Sequence, residues 1–203
     1  IGLSLVGSEM CIRDSVMNSR AIADPLKVLD CSLVSDGGAA VVITRKDRAK
    51  DGPHKPVTLL GYGEGHAYEH ISQAKDLTTS AAVQSGRAAY AEAGLTPDDI
   101  DLLQLYDCFT PALLMQIEDL GFCGKGEGGA WLASGISRPG GSKPMNTHGG
   151  MLSYCHPGNP GAMFGLTEAI TQMRGDAGER QLPKMHSALC HAQGGIMSSH
   201  STI

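Results

Sequence analysis

AEAGLTPDDIDLLQLYDCFTPALLMQIEDL, residues 91–120, holds a helix end, a strand and a second helix start in one run. Small residues recur at helical spacing from Thr78 to Ala93 (Ala81, Ala82, Ser85, Ala88, Ala89, Ala93), and Gly94 is the stop such a helix needs. Thr96-Pro97-Asp98-Asp99 is a helix-start signal with proline one place inside. Ile100 to Leu105 is apolar enough for a buried strand. Thr110-Pro111 then opens a helix, with Thr110 as N-cap and Leu113, Leu114, Ile117 and Leu120 as its buried stripe. Strands alternating with helices indicate an α/β layered fold.

Outward from this unit, Lys27–Leu33, Ala39–Thr44 and Val57–Tyr62 read as further strands, with a turn at Ser35-Asp36-Gly37-Gly38. Residues 45–56 form a charged connector and a candidate domain boundary, and residues 63–77 read as irregular. Residues 121–150 form a long glycine-rich loop of the kind that usually carries function. Gly161 to Arg174 is a helix with Met163, Leu166, Ala169, Ile170 and Met173 on one side, and the tail has strand-like runs at 186–189 and 196–203. Residues 1–15 (IGLSLVGSEMCIRDS) resemble translated sequencing-adapter DNA and are set apart from the fold; on that reading the true protein begins upstream and Cys11 has no function.

The chain is 41% hydrophobic and 18% charged, so it can bury a core. A formal net charge of -5 argues against a general nucleic-acid binder, and no apolar run reaches the length of a membrane span. The 6 cysteines show no C-x-x-C pairing and read as reduced thiols of a cytoplasmic protein.

Three loops gather chemistry-bearing residues. Tyr106-Asp107-Cys108-Phe109 lies between a buried strand and a helix, where α/β sheets place ligands and where a helix N-terminus favours a thiolate. Taken alone, Cys108 reads as a packing cysteine. Asn146-Thr147-His148-Gly149-Gly150 leads to Cys155-His156-Pro157-Gly158-Asn159-Pro160-Gly161, where His156 suits a general base or an oxyanion donor. Cys190-His191-Ala192-Gln193-Gly194-Gly195 follows a strand, and its adjacent Cys and His point apart if extended. Zinc is set aside, because Cys155 and His156 are adjacent and lack chelating spacing; no metal is expected.

These segments together resemble the thiolases, in particular the branch of the sterol-carrier-protein type thiolase and acetyl-CoA acetyltransferase. The signal is Asn146, Gly149 and Gly150 followed by His156-Pro157-Gly158. Ala91–Leu105 looks like the stretch before the thiolase active-site loop, and Asp36–Ala40 like the end of the thiolase amino-terminal domain. The resemblance implies the carboxy-terminal half of a five-layer αβαβα fold: an amino-domain remnant over 16–50 and the carboxy-terminal domain over 51–203.

It further implies acyl transfer between coenzyme A thioesters. His156 would activate a nucleophilic cysteine supplied by the amino-terminal half, Cys108 would move the α-proton, and His191 would stand where the usual carboxy-end cysteine does. Asp107, Phe109, Asn146, His148, Gly149, Gly150, Gly194 and Gly195 would line the substrate. No bound cofactor is implied, coenzyme A being a substrate, and a homo-oligomer is expected, with a small OB-type partner subunit as a further prospect. Two positions depart from the pattern: Tyr106 replaces the expected histidine and Cys155 replaces glycine. These departures keep two rivals open, a non-catalytic acyl-CoA- or lipid-binding subunit and a ketoacyl synthase relative using His156 and His191.

Overall fold

The computed structural model describes residues 9–183 and 185–203, with side chains from residue 14 onward. Residues 1–8 of the adapter-like segment lie outside the described residues; 9–15 fall within helix α1 (Glu9–Asn18). A small hairpin follows, β1 (Ala21–Ala23) against β2 (Leu26–Lys27). The main body has strand β3 (Gly63–His66), helix α2 (Ala82–Ala93), strand β4 (Leu102–Leu105), and helices α3 (Thr110–Asp119), α4 (Gly128–Ala133), α5 (Gly150–Ser153) and α6 (Gly161–Arg174). Strands β5 (Ala188–Gly194) and β6 (Ser199–Thr202) close it. The sheet order is β3-β6-β5-β4; β4 and β5 run parallel and the other pairs antiparallel.

Helices cover both faces, as the α/β reading expects. On one face, Leu103, Leu105 and Leu189 of the strands meet Ala82 of α2 and Ile117 and Leu120 at α3, all at most 3% exposed. Each such leucine contributes about 1.5–3 kcal/mol by burial. On the other face α6 crosses β4 and β5 so closely that a Cβ on Gly165 would stand 3.2 Å from Gln104 Cβ.

Alternate glycines explain how α2 lies against the sheet. A Cβ on Gly61, Gly63 or Gly65 would fall 2.2, 2.1 or 2.3 Å from the carbonyls of Ala89, Ser85 and Ala81. Two strand residues and four helix residues both advance about 6 Å, so the two ladders stay in step. Any side chain there would push helix from sheet.

Several sequence expectations are corrected. Lys27–Leu33 is not a strand: it breaks into the end of β2 and a tight turn at Val28–Asp30. Ala39–Thr44 has no regular structure, with Val42 95% and Ile43 84% exposed; its run has strand character but no neighbouring ladder among the described residues to pair with. The strand expected at 57–62 lies at Gly63–His66 instead, because glycine-rich sequence reads as loop unless the helix above it is known.

Thr110 is the first helical residue rather than the N-cap, a position Phe109 takes, and its hydroxyl bonds Asp30 at 3.2 Å. The 121–150 loop contains α4. Helix α6 has the expected bounds, but its fully buried face is Gly161, Gly165, Glu168, Ala169 and Gln172, while Met163, Leu166, Ile170 and Met173 are half-buried.

Candidate functional site

Strand β4 is buried along its length, and its last peptide is locked by Asn146. The Leu105 N–H donates to Asn146 Oδ1 at 2.9 Å, and Asn146 Nδ2 donates back to the Leu105 carbonyl at 3.0 Å. Asn146 stands at φ 48, a left-handed conformation this residue tolerates. Its amide therefore serves the backbone, and residues 144–146 run along the free edge of β4.

Asp107 ties the next turn to the glycine pair. It is 5% exposed, and the Met151 N–H donates to its Oδ1 at 2.6 Å. A Cβ on Gly150, at φ 65, would sit 2.0 Å from Oδ2, so glycine is required where the carboxylate rests on the first turn of α5. Burial pushes the Asp107 carboxyl up, against the pull of the peptide hydrogen bonds.

A strap formed by residues 31–37 holds the two chemical loops together. The Ser32 N–H donates to the Cys108 carbonyl at 2.9 Å, and Cys31 bridges to Phe109. Val34 bridges to His156, whose N–H donates to Ser35 Oγ at 2.7 Å. Ser35 Oγ also lies 3.2 Å from Cys155 Sγ. Gly37 passes under Phe164 and Cys155, where a Cβ would meet ring and sulfur at 3.0 and 3.1 Å. The Ser-Asp-Gly-Gly sequence read as a turn is thus part of the site's frame.

At the centre, Tyr106 Oη lies 2.7 Å from His156 Nε2, the rings meeting edge-on. Burial pushes the Tyr106 phenol up to about 12, with the Cys108 and Asp107 charges adding to it. The phenol is therefore neutral near pH 7 and keeps a proton that it can share with the imidazole. Cys108, 7% exposed, is pushed up to about 11, by burial first. Gly161, the first residue of α6, backs onto both rings.

Of the residues singled out in sequence, Cys108, Asp107, Asn146, Gly150 and His156 are brought together by these contacts, with Phe109 45% exposed beside them. Gly149, at φ 105, turns the chain into α5. His148 is half-buried against Tyr154 at 5.6 Å between ring centres. Both its ring nitrogens are buried without a protein partner, and burial holds its pKa down. Gly194 and Gly195 form the β5–β6 turn, which continues left-handed through Ile196 and Met197.

His191 is not joined to His156. It sits 3% exposed inside the sheet, with Nδ1 at 2.8 Å from Thr202 Oγ1 and Nε2 at 3.0 Å from His200 Nδ1. Burial, then the neighbouring His200, takes its pKa down to about 3. Cys190 points the other way, its sulfur 3.9 Å from the Gly165 carbonyl. Sequence reading passed over Ser35, Gln116 and Gln193; only tertiary contact marks the two glutamines. Among the described residues, no three His, Cys, Asp or Glu side chains converge as a metal set, and no helix is long and apolar enough to cross a membrane.

The strand-to-helix turn thus sets a phenol and a thiol against a His-Pro loop that opens a helix. Residues 63–203 match the family model "Thiolase C-terminal domain-like". The chain belongs to the thiolase family, and its fold is thiolase-like. The acetyl-CoA acetyltransferase of Methanothermobacter thermautotrophicus is 38% identical over 183 residues, covering 90% of this chain and 48% of that protein. The steroid side-chain-cleaving aldolase of Thermomonospora curvata is 41% identical over 165 residues, covering 78% and 41%. The solved structure of the Ltp2-ChsH2(DUF35) aldolase superposes with a TM-score of 0.85 at 36% identity, over 93% of this chain and 50% of that one. The chain thus spans about half the length of the curated relatives it matches. The family includes both acyltransferases and carbon–carbon lyases.

Proposed function

We propose that the intact protein carrying this chain cleaves the bond between the α and β carbons of an acyl-CoA thioester by a retro-aldol reaction on a 3-hydroxyacyl-CoA. The observation that carries the reading is the 2.7 Å contact between Tyr106 Oη and His156 Nε2. The thiolase resemblance implies a histidine that activates a nucleophilic cysteine; here the His156 Nε2 is bonded to a phenol instead.

In the reaction, the Tyr106 oxygen takes the proton of the substrate's β-hydroxyl as it passes its own proton to His156. The β carbon becomes a carbonyl, and the electrons of the breaking bond move into the thioester enolate. The Cys108 thiol, kept protonated by burial, gives its proton to the α carbon. A ketone or aldehyde and a shortened acyl-CoA leave. Proton return from His156 to Cys108 resets the site, and no oxidant or second substrate is consumed. The relatives that are aldolases support this reading. A homo-oligomer, and a DUF35-type partner subunit of the kind named in the aldolase complex, belong to the same proposal.

A second reading is thiolase-type acyl transfer, thiolysis of a 3-ketoacyl-CoA or acetyl-CoA condensation. It is favoured by the Asn146–Gly150 and His156–Gly158 pattern and by the acetyltransferase relative. There, His156 would release Tyr106 to activate a cysteine from elsewhere in the intact protein.

The test is to incubate the intact protein with a 3-hydroxyacyl-CoA alone, and separately with a 3-ketoacyl-CoA plus free coenzyme A, following products by mass spectrometry. A free carbonyl compound and shortened acyl-CoA in the first reaction are expected. Products in the second alone would establish thiolysis instead, and binding without turnover in either would leave an acyl-CoA-binding subunit.

A further inference from the structure

Two glutamines stand behind the Tyr106–Cys108 turn. Gln116, on α3, is 1% exposed. The Tyr106 N–H donates to its Oε1 at 3.0 Å, and its Nε2 donates to the Tyr106 carbonyl at 2.8 Å. A peptide N–H only donates and a peptide carbonyl only accepts, so these contacts fix which end of the amide is oxygen. The same Nε2 reaches Gln193 Oε1 at 3.2 Å. With its oxygen accepting, Gln193 turns its nitrogen to Cys108 Sγ, at 3.6 Å. The chain of bonds has one polarity and ends with an N–H aimed at the sulfur. Cys108 directly precedes Phe109, the N-cap of the ten-residue helix α3. A side-chain donor and a helix N-terminus thus meet at Cys108, which suits its sulfur to carry negative charge.

We propose that Gln193 is a positioning residue for Cys108: its carboxamide, held in one orientation by Gln116, presents an N–H to the sulfur and steadies the thiolate left when that thiol has given up its proton. The need for such a thiolate rests on the retro-aldol reading; the contact itself does not. Around Cys108 the titratable groups are Asp107 and Tyr106 on its own loop and Cys31 on the strap paired with Phe109. From α3 and β5 the neighbours are Gln116 and Gln193, both uncharged. Gln193 is therefore the side chain through which Cys108 can be tuned without touching the Tyr106–His156 pair. It stands in β5, three places after Cys190, in a segment where Cys190 and His191 draw the eye by residue type.

The test reads the thiol directly. The intact protein is alkylated with iodoacetamide across a pH series, and the rate at the Cys108 peptide is followed by mass spectrometry for wild type, Gln193→Met and Gln193→Glu. Gln193→Met removes the donor at similar volume and is expected to raise the midpoint of the Cys108 rate profile by about one pH unit. Gln193→Glu places a carboxylate beside the sulfur and is expected to raise it further. The profile of Cys123, a thiol outside this cluster, serves as the control and is expected to stay unchanged. Unchanged Cys108 midpoints in both folded variants would overturn the proposal. A raised midpoint in a protein that cleaves no 3-hydroxyacyl-CoA would support the contact and remove the retro-aldol reading, so the two failures are told apart. If Gln193→Glu does not fold, Gln193→Met alone decides.

Discussion

His156 and His191 are the two histidines that sequence pattern offers as chemical, and the fold treats them in opposite ways. His156 sits half-buried in a loop, held by its backbone to Ser35 and by its ring to a phenol. His191 sits inside the sheet in a closed chain of hydrogen bonds. That chain has one consistent direction. The Met197 carbonyl can only accept, so His200 Nε2 donates to it at 3.1 Å and His200 Nδ1 accepts from His191. His191 Nδ1 then accepts from Thr202, whose oxygen is 2.8 Å from Ser85 Oγ. Every ring nitrogen of this pair is used internally, whereas the His156 ring is bonded to the half-buried Tyr106 phenol. The same imidazole is sealed into the sheet in one place and left half-buried against a phenol in the other, and the surrounding packing makes the difference.

The largest effect that could break this contrast is chemical. Tyr106→Phe in the intact protein is expected to lower kcat for 3-hydroxyacyl-CoA cleavage by about 10²–10⁴-fold, while the urea midpoint reports a stability change of no more than about 1 kcal/mol. Retained turnover would remove Tyr106 from the proton path.

Next is the acid sensitivity of the buried pair. Burial holds His191 down to about 3 and lowers His200 as well, from ordinary values near 6.5. Below pH 6.5 the unfolded chain binds protons that the folded chain refuses. Stability is therefore complete above that pH and falls as pH drops through the window toward 3, by ~1.4 kcal/mol per pH unit for His191, with His200 acting in the same direction. Urea midpoints should fall between pH 7.5 and pH 5.5, and the fall should shrink in His191→Phe. Equal slopes in both proteins would show that the buried pair does not govern acid sensitivity.

The smallest effect sharpens the contrast. Thr202→Val keeps volume but leaves His191 Nδ1 without its donor, and is expected to cost about 1 kcal/mol in the urea midpoint with kcat unchanged. A drop in kcat at constant stability would connect the buried chain to the chemistry.

Much of the fold was legible where local signals agree with their surroundings. Helix α6 has the expected bounds because Gly175 supplies a left-handed stop, and α2 ends at Gly94 for the same reason. The strand before the Tyr106 turn was legible from its pattern; in the tail the strands lie at Ala188–Gly194 and Ser199–Thr202 rather than 186–189 and 196–203, so Cys190 to Gly194, read as following a strand, belongs to β5. Failure came where a neighbour decides. Ala39–Thr44 has the composition of a strand without a partner to pair with, and Gly63–His66 is a strand that composition hides. In the site, Cys108, Asp107, Asn146 and His156 could be singled out because their residue types sit in glycine- and proline-marked loops. Ser35 and Gln193 lie near glycine pairs but, like Gln116, are residue types that do not themselves suggest chemistry.

The sequence by itself determined the layered α/β class, the two helix stops and the family, and it singled out the Tyr106–Phe109 and Cys155–Gly161 segments that the fold brings together, since each depends on residue types at short spacing. Only the tertiary structure decided that His156 takes Tyr106 as its partner, that Asp107 rests on the Gly150 backbone, and that His191 is sealed between Thr202 and His200. The physical reason is that hydrogen-bond polarity and burial belong to pairs of atoms far apart in the chain. A single residue's identity fixes what it can donate or accept, and the fold fixes to whom.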